Sequence, residues 1–334
     1  METKFIEFCE NGDLDSIKQL INSHEINIHV DDEEGFRWAC ENGHKHIVEY
    51  LINLYKSNPN YATINIHADD EYGFRLACCN GHKHIVKYLI NLYKHDNKYA
   101  IINIHSYDEY GFRWACYNGH KHIVKYLINL YKYDNKYTIV NIHANDELGF
   151  RWACENGHKH IVEYLINLYK NDNKYAIVNI HADDEYGFRW TCNNGHKHIV
   201  KYLINLYKHD NKYAIVNIHV DDEVGFRWAC ENGHKHIVKY LINLYKNDNK
   251  YAIVNIHTNN EAGFILACYN GHKHIVKYLI NLYKHDNKYA IINIHSYDEY
   301  GFRWACENGH MNIVEYLLSV GCYMHDYNNS ILLL

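Results

Sequence analysis

Apolar residues along this chain fall into two alternating kinds of segment. Between Lys83 and Lys94, Ile85, Leu89 and Tyr93 recur every four residues, and Val86 and Ile90 widen the stripe. That spacing predicts a helix with one buried face. Just before it, Asp70-Glu71-Tyr72-Gly73-Phe74-Arg75-Leu76-Ala77-Cys78 reads as a shorter helix. Asp70 is its expected N-cap, with acids in the first turn favoured by the helix dipole. Asn80-Gly81 is the expected stop, because glycine accepts the left-handed conformation at a helix end. His95-Asp96-Asn97-Lys98 is polar and reads as a loop. Ala100-Ile101-Ile102-Asn103-Ile104-His105 is β-prone but short, which predicts a connector finger rather than a sheet strand.

This two-helix pattern is periodic. Gly35, Gly73, Gly111, Gly149, Gly187, Gly225, Gly263 and Gly301 are each 38 residues apart, and residues 80–116 are identical to 270–306. Phe8-Cys9-Glu10-Asn11-Gly12 opens the chain as a shorter relative, and Leu317-Leu318-Ser319-Val320-Gly321 breaks the pattern at the other end. A nine-unit array with atypical ends follows, since a helix pair that cannot bury its apolar face alone must stack on the next copy. The expected organisation is one array over 1–334. It has an N-terminal capping unit at 1–29, units of 38-residue period over 30–309, a C-terminal cap at 310–334 and no internal domain boundary.

A helix ending Ala-Cys-x-Asn-Gly-His, followed by x-x-Ile-Val-x-Tyr-Leu-Ile, resembles the ankyrin repeat over nearly the whole chain. The match is strongest at Asn-Gly-His-x-x-Ile-Val-x-x-Leu. The usual Thr-Pro-Leu-His opening is replaced by Glu34-Gly35-Phe36-Arg37, so Arg37 must find other acceptors. The period exceeds the usual 33, and the surplus is Asn-Leu-Tyr-Lys-x-Asp-Asn-Lys, which lengthens the second helix and its loop. The resemblance implies an all-α, ankyrin-type solenoid of helix–turn–helix repeats with extended second helices and finger-like connectors. The repeat style also resembles ankyrin proteins of giant DNA viruses of the mimivirus kind, which implies a binding scaffold.

Composition narrows the partners. A formal net charge of −6 argues against nucleic acid, whose backbone demands a basic surface. No apolar run approaches the ~18–20 residues of a membrane span, and METKFIEFCENGD has no signal-peptide core. A soluble monomer in the reducing cytoplasm is expected, the host's if the protein is viral.

Chemistry-bearing residues occur in columns. Cys40 and its seven equivalents occupy the small-residue slot between helices, too far apart for disulfides. They are expected to be buried reduced thiols. The 28 histidines include a His44-type column, expected to satisfy backbone groups near the helix junction. The His29-type column ends each Asn-Ile-His finger and is expected at the surface. Neither has zinc-ligand spacing. Trp38, Trp114, Trp152, Trp190, Trp228 and Trp304 share one position with Leu76 and Leu266, so the column is expected to be inter-unit core. A nucleophile, a base and an orienting group must converge once, whereas every candidate here is copied at intervals. No enzyme activity, cofactor or metal is expected.

Units differ mainly between the finger and the first helix, and at the end of that helix. These positions supply the candidate partner surface: Asp31, Glu34 and Glu41; Asp69 and Tyr72; Tyr107, Tyr110 and Tyr117; Asn145; Asp183 and Tyr186; Asp221; and Tyr269, Tyr297 and Tyr300. In the ankyrin architecture fingers and first helices line the concave face. That implies a protein partner, basic in character, on an acidic Tyr-bearing surface. Three other readings stay open: a substrate adaptor for ubiquitin ligation, for which Tyr323–Leu334 is too short a recruiting segment; a His-based metal binder; and an inert array expanded by duplication.

Overall fold

The structure is a computed structural model that describes residues 1–322 together with the backbone at 324–325 and 331–332. Residues 323, 326–330 and 333–334 of the expected C-terminal cap at 310–334 therefore lie outside the described residues. The described chain is helical apart from a two-residue antiparallel pairing of Met324–His325 with Ile331–Leu332. No described helix is long and apolar enough to cross a membrane.

Two compact units divide the chain, Met1–Val178 and Asn179–Leu334. The first holds the short pair Glu2–Asn11 and Leu14–Ser23, then Val30–Glu41 with Lys45–Ser57, Ala68–Cys79 with Lys83–His95, Ser106–Tyr117 with Lys121–Tyr133, and Ala144–Glu155 with Lys159–Ile166 and Leu168–Asn171. The second holds Ala182–Asn193 with Lys197–His209, Val220–Glu231 with Lys235–Ile242 and Leu244–Asn247, Thr258–Tyr269 with Lys273–Ile280 and Leu282–His285, and Ser296–Glu307 with Met311–Ser319. The lengthened second helix is thus observed, interrupted in three repeats at Asn167, Asn243 and Asn281.

Inside each unit, neighbouring repeats interlock through the same few residues. Phe36 and its equivalents are almost wholly buried. A Cβ on Gly73 would lie 2.9 Å from the Phe36 ring and 3.3 Å from the Cys40 sulfur. Only glycine therefore lets consecutive first helices approach over that phenylalanine. All eleven cysteines are free thiols, and burial pushes the Cys40-type thiols up in pKa.

The helix junction works as expected and reaches further than its own repeat. Gly43 is left-handed at φ +81°, and the imidazole of His82 from the following repeat covers it, Nε2 lying 2.7 Å from the Glu41 carbonyl. His158, His234, His272 and His310 repeat the contact at 2.8–2.9 Å. The ring takes up a carbonyl at a helix C-terminus that no intrahelical N–H can reach.

A second connection runs through the insert. The Tyr55 hydroxyl donates to Asp96 of the following repeat, and the Lys56 ammonium lies 2.8 Å from the same carboxylate. The Tyr99 hydroxyl reaches back to the Ile52 carbonyl at 2.9 Å. The same latch joins Tyr93 and Lys94 to Asp134, Tyr131 and Lys132 to Asp172, Tyr207 and Lys208 to Asp248, and Tyr245 and Lys246 to Asp286. Burial opposes ionisation of Asp96, but Lys56, Tyr55 and the Lys98 N–H outweigh it and hold its carboxyl at about 2. Burial and the contact with Asp134 push the Tyr93 hydroxyl up to about 12, and burial and Asp286 do the same for Tyr245.

Candidate functional site

The variable segment adopts an unexpected conformation. Asp70 does not cap a helix: Asp69, Asp70 and Glu71 wind left-handed, at φ 49°, 51° and 63°, and the right-handed helix starts after them. All eight long repeats do this, including the two with Tyr107 and Tyr297 in the first left-handed position. A left-handed residue costs roughly 1–2 kcal/mol, least for Asn and Asp, so the turn needs partners.

Arginine supplies some of them. Arg75 donates from Nη2 to the Asp69 carbonyl at 2.7 Å and from Nε to the Asp70 carbonyl at 2.9 Å. Arg37, Arg113, Arg151, Arg189, Arg227 and Arg303 reach the equivalent first carbonyl. These are the acceptors that replace the usual ankyrin opening. In the one repeat where Ile265 takes the arginine's place, the turn reads Asn259-Asn260, a residue type that, after glycine, tolerates this conformation well.

The third left-handed residue turns inward. Glu71 is 7% exposed, and its Oε1 accepts from His67 Nδ1 at 2.9 Å and from the Asn103 N–H of the next finger at 3.1 Å. The His29-type column is therefore not a plain surface feature, because each ring anchors a buried carboxylate. Its glutamate partner raises the pKa of His143 and of His219.

What the turns leave outside is acidic and aromatic. Asp31, Asp69, Asn145, Asp183 and Asp221 are exposed, as are Tyr107, Tyr269 and Tyr297, while Glu34, Glu41, Tyr72, Tyr110, Tyr117, Tyr186 and Tyr300 are half-buried. Some of the acids are engaged: Asp69 lies 3.6 Å from Arg37, and Asp221 lies 3.2 Å from Arg189. Glu34 accepts from the Trp38 indole at 3.2 Å. In the first unit the Arg75 guanidinium sits 4.3 Å from the Tyr107 ring centre and 5.0 Å from those of Tyr72 and Tyr110. Trp114 packs beside Tyr110, Tyr117 and Trp152 at 5.6, 5.0 and 5.2 Å. In the second unit Tyr300 stacks on Trp304 at 4.0 Å, and Tyr269 meets Trp304 edge-on at 4.8 Å.

The tryptophan column departs from expectation. Its members are half-buried, Trp114, Trp152, Trp190 and Trp304 lie against tyrosines, and the sealed core position belongs to the Phe36 column. Exchange of Trp with Leu concealed this, since both suit a slot that is packed on one side. The column thus joins the candidate surface, a role that spacing alone did not reveal.

The family model for ankyrin repeats (3 copies) matches residues 5–98, 74–176, 112–210, 150–251 and 226–330. The chain belongs to the ankyrin-repeat family. Ankyrin repeats are in general protein–protein interaction modules, and proteins of this family are typically non-enzymatic scaffolds. This ankyrin-repeat chain is similar to the human Acyl-CoA-binding domain-containing protein 6, with 33% identity over 54 residues, 15% of this chain and 19% of that protein. The rat counterpart is 32% identical over 54 residues with the same coverage. The chain thus spans about a fifth of the length of the curated relatives it matches. An X-ray structure of an ankyrin repeat family protein from Legionella pneumophila is similar at TM-score 0.41 and 16% identity, covering 98% of this chain and 90% of that one.

Proposed function

We propose that this ankyrin-repeat chain is a non-enzymatic scaffold whose protein partner docks on the aromatic face of its first helices, with the acidic left-handed turns along the rim. One observation carries the reading. Tyr107, Tyr269 and Tyr297 are 55%, 41% and 58% exposed, and each lies beside an arginine, a tryptophan or a second tyrosine held in place by the fold. Tyrosine, tryptophan and arginine carry most of the binding energy at protein interfaces, and rings fixed beforehand lose little entropy on docking. The exposed turn carboxylates favour a basic partner by steering, although Asp69 and Asp221 already compensate arginines of this chain. The resemblance to ankyrin proteins of giant viruses supports a host protein as that partner.

The test is retention of a partner by immobilised chain from an extract of its native host. Tyr107→Ala with Tyr110→Ala, or Tyr297→Ala with Tyr300→Ala, should abolish retention while far-UV circular dichroism stays unchanged. Lys87→Ala with Lys125→Ala, on the second helices, should leave it intact. Undiminished retention by both tyrosine pairs would refute the assignment.

A further inference from the structure

In each of the latches described above a Tyr-Lys pair on one insert holds the aspartate of the next. Tyr283 and Lys284 are the last such pair. The repeat that follows ends at Met311–Ser319 without the insert, and no described carboxylate reaches either group; Lys284 lies only over its own neighbour's ring, 5.8 Å from the Tyr283 centroid. Ile291 beside the pair is open as well, and Ile280, though buried, is covered less fully than its equivalent. Ile280 is 8% exposed where Ile242 is 0%, and Ile291 is 64% exposed where Ile253 is 37%. Ile242 accepts the Tyr289 hydroxyl at 2.8 Å, while no described tyrosine hydroxyl reaches the Ile280 carbonyl. Ile280, Tyr283, Lys284, Ile291, Ile292 and Val320 line a groove of about 430 Å³.

We propose that this groove is a docking site for a polypeptide segment of a partner protein carrying the pattern Asp-x-x-Tyr. Its aspartate takes the place that Asp286 takes on Tyr245 and Lys246. Its tyrosine, three positions on, covers the isoleucines and donates to the Ile280 carbonyl. The chain itself defines this ligand, since Asp96–Tyr99, Asp134–Tyr137 and Asp248–Tyr251 have that spacing and fill the equivalent place. A second copy of the chain does not meet the need, because the described loops of this type are already engaged within their own chain. The site is separate from the aromatic face of the first helices, and neither depends on the other.

The probe is a fluorescein-labelled peptide, Lys-His-Asp-Asn-Lys-Tyr-Ala-Ile-Ile-Asn, copied from residues 284–293. It is titrated with the full-length chain and read by fluorescence anisotropy. Saturable binding with a Kd of about 1 mM or tighter is expected for a short segment that loses conformational freedom on docking. Replacing the peptide's Asp by Asn, or making Lys284→Ala in the protein, should each weaken binding about tenfold, as loss of one partner of a shielded charge pair does. Lys284 is exposed, so its truncation leaves the fold standing. Lys87→Ala should bind as the parent does. Absence of saturation at about 5 mM protein, several times that expected Kd, or equal affinity in the Lys284→Ala variant, would overturn the proposal.

Discussion

Gly43→Ala isolates the junction on which each repeat leans. Gly43 sits at φ +81°, and an added Cβ would lie 2.6 Å from two atoms of the His82 ring. Alanine pays about 1–2 kcal/mol for the left-handed backbone. The imidazole must also swing away from the Glu41 carbonyl, which forfeits a hydrogen bond worth about 1 kcal/mol. The combined loss is about 2–3 kcal/mol. Gly309 separates the two contributions, because it too is left-handed, at φ +71°, yet has nothing within 4 Å of an added Cβ. Gly309→Ala should therefore cost only the backbone part. Repeat arrays unfold in segments rather than all at once, so the appropriate readout is native-state hydrogen exchange by mass spectrometry. Exchange should accelerate in peptides covering residues 39–48 and 77–86 and stay unchanged several repeats away. In a His82→Ala background Gly43→Ala should lose about 1 kcal/mol of its effect, a coupling that a double-mutant cycle measures directly. Additive costs within about 0.3 kcal/mol would refute the interlock.

Three further outcomes follow from the same contacts. Asp96 keeps its charge well below the usual carboxylate range, so its contribution is complete above about pH 4 and is lost as pH falls through about 2; Asp96→Asn should lower local stability at pH 7 by about 1–2 kcal/mol, discounted for the exposed Lys56, and remove that acid-dependent loss from urea titrations. The histidine columns oppose one another: burial lowers the pKa of His120 and His272, a stability lost as pH falls below the ordinary imidazole value, whereas glutamate raises that of His143 and His219, a stability gained over the same fall. Glu147→Gln should therefore make thermal melting drop more between pH 7.5 and pH 5 than it does in the parent, and an identical pH dependence would contradict the assignment. Cys79 and Cys306 are the half-buried thiols, the other nine being buried, so a thiol reagent should titrate about two groups in the native chain and eleven after denaturation; rapid reaction of the Cys40 column would show that the first helices separate.

Helix pairs and their period were legible because they are one-dimensional facts. A four-residue apolar stripe and a recurring glycine survive without knowledge of neighbours, and so did the fold class. The left-handed turn was not legible. Asp-Asp-Glu before a helix reads as capping and dipole compensation, and its other conformation becomes reasonable only once Arg75 is seen on the turn carbonyls and Glu71 on the next finger's N–H. One signal was present: the coincidence of Ile265 with Asn259-Asn260, where the arginine and both aspartates vanish together. Of the candidate surface residues, Tyr107, Tyr269 and Tyr297 are exposed and so open to a partner. Sequence missed the Trp column, because solvent contact on one edge leaves no mark on a residue's spacing.

The two ends of the latch series differ in a way that bears on assembly. At the amino end the short helix Leu14–Ser23 offers no Tyr-Lys pair, and the residue that would face it is Asn58 in place of the aspartate. Asn58 still closes the turn, accepting the Asn60 N–H at 3.2 Å as Asp96 accepts that of Lys98 at 3.2 Å. The turn is kept and the charge is dropped. A carboxylate shielded there without Lys or Tyr would have carried a desolvation penalty with no compensation, so the substitution follows from the missing neighbour. Tyr283 and Lys284 show no matching retreat: an ammonium and a phenol can remain hydrated at an edge at little cost, whereas a half-covered carboxylate cannot. Solvation therefore accounts for the neutral residue at one end and permits the cationic pair at the other. It gives no reason for Ile291 beside that pair to stay 64% exposed, and a covering segment does.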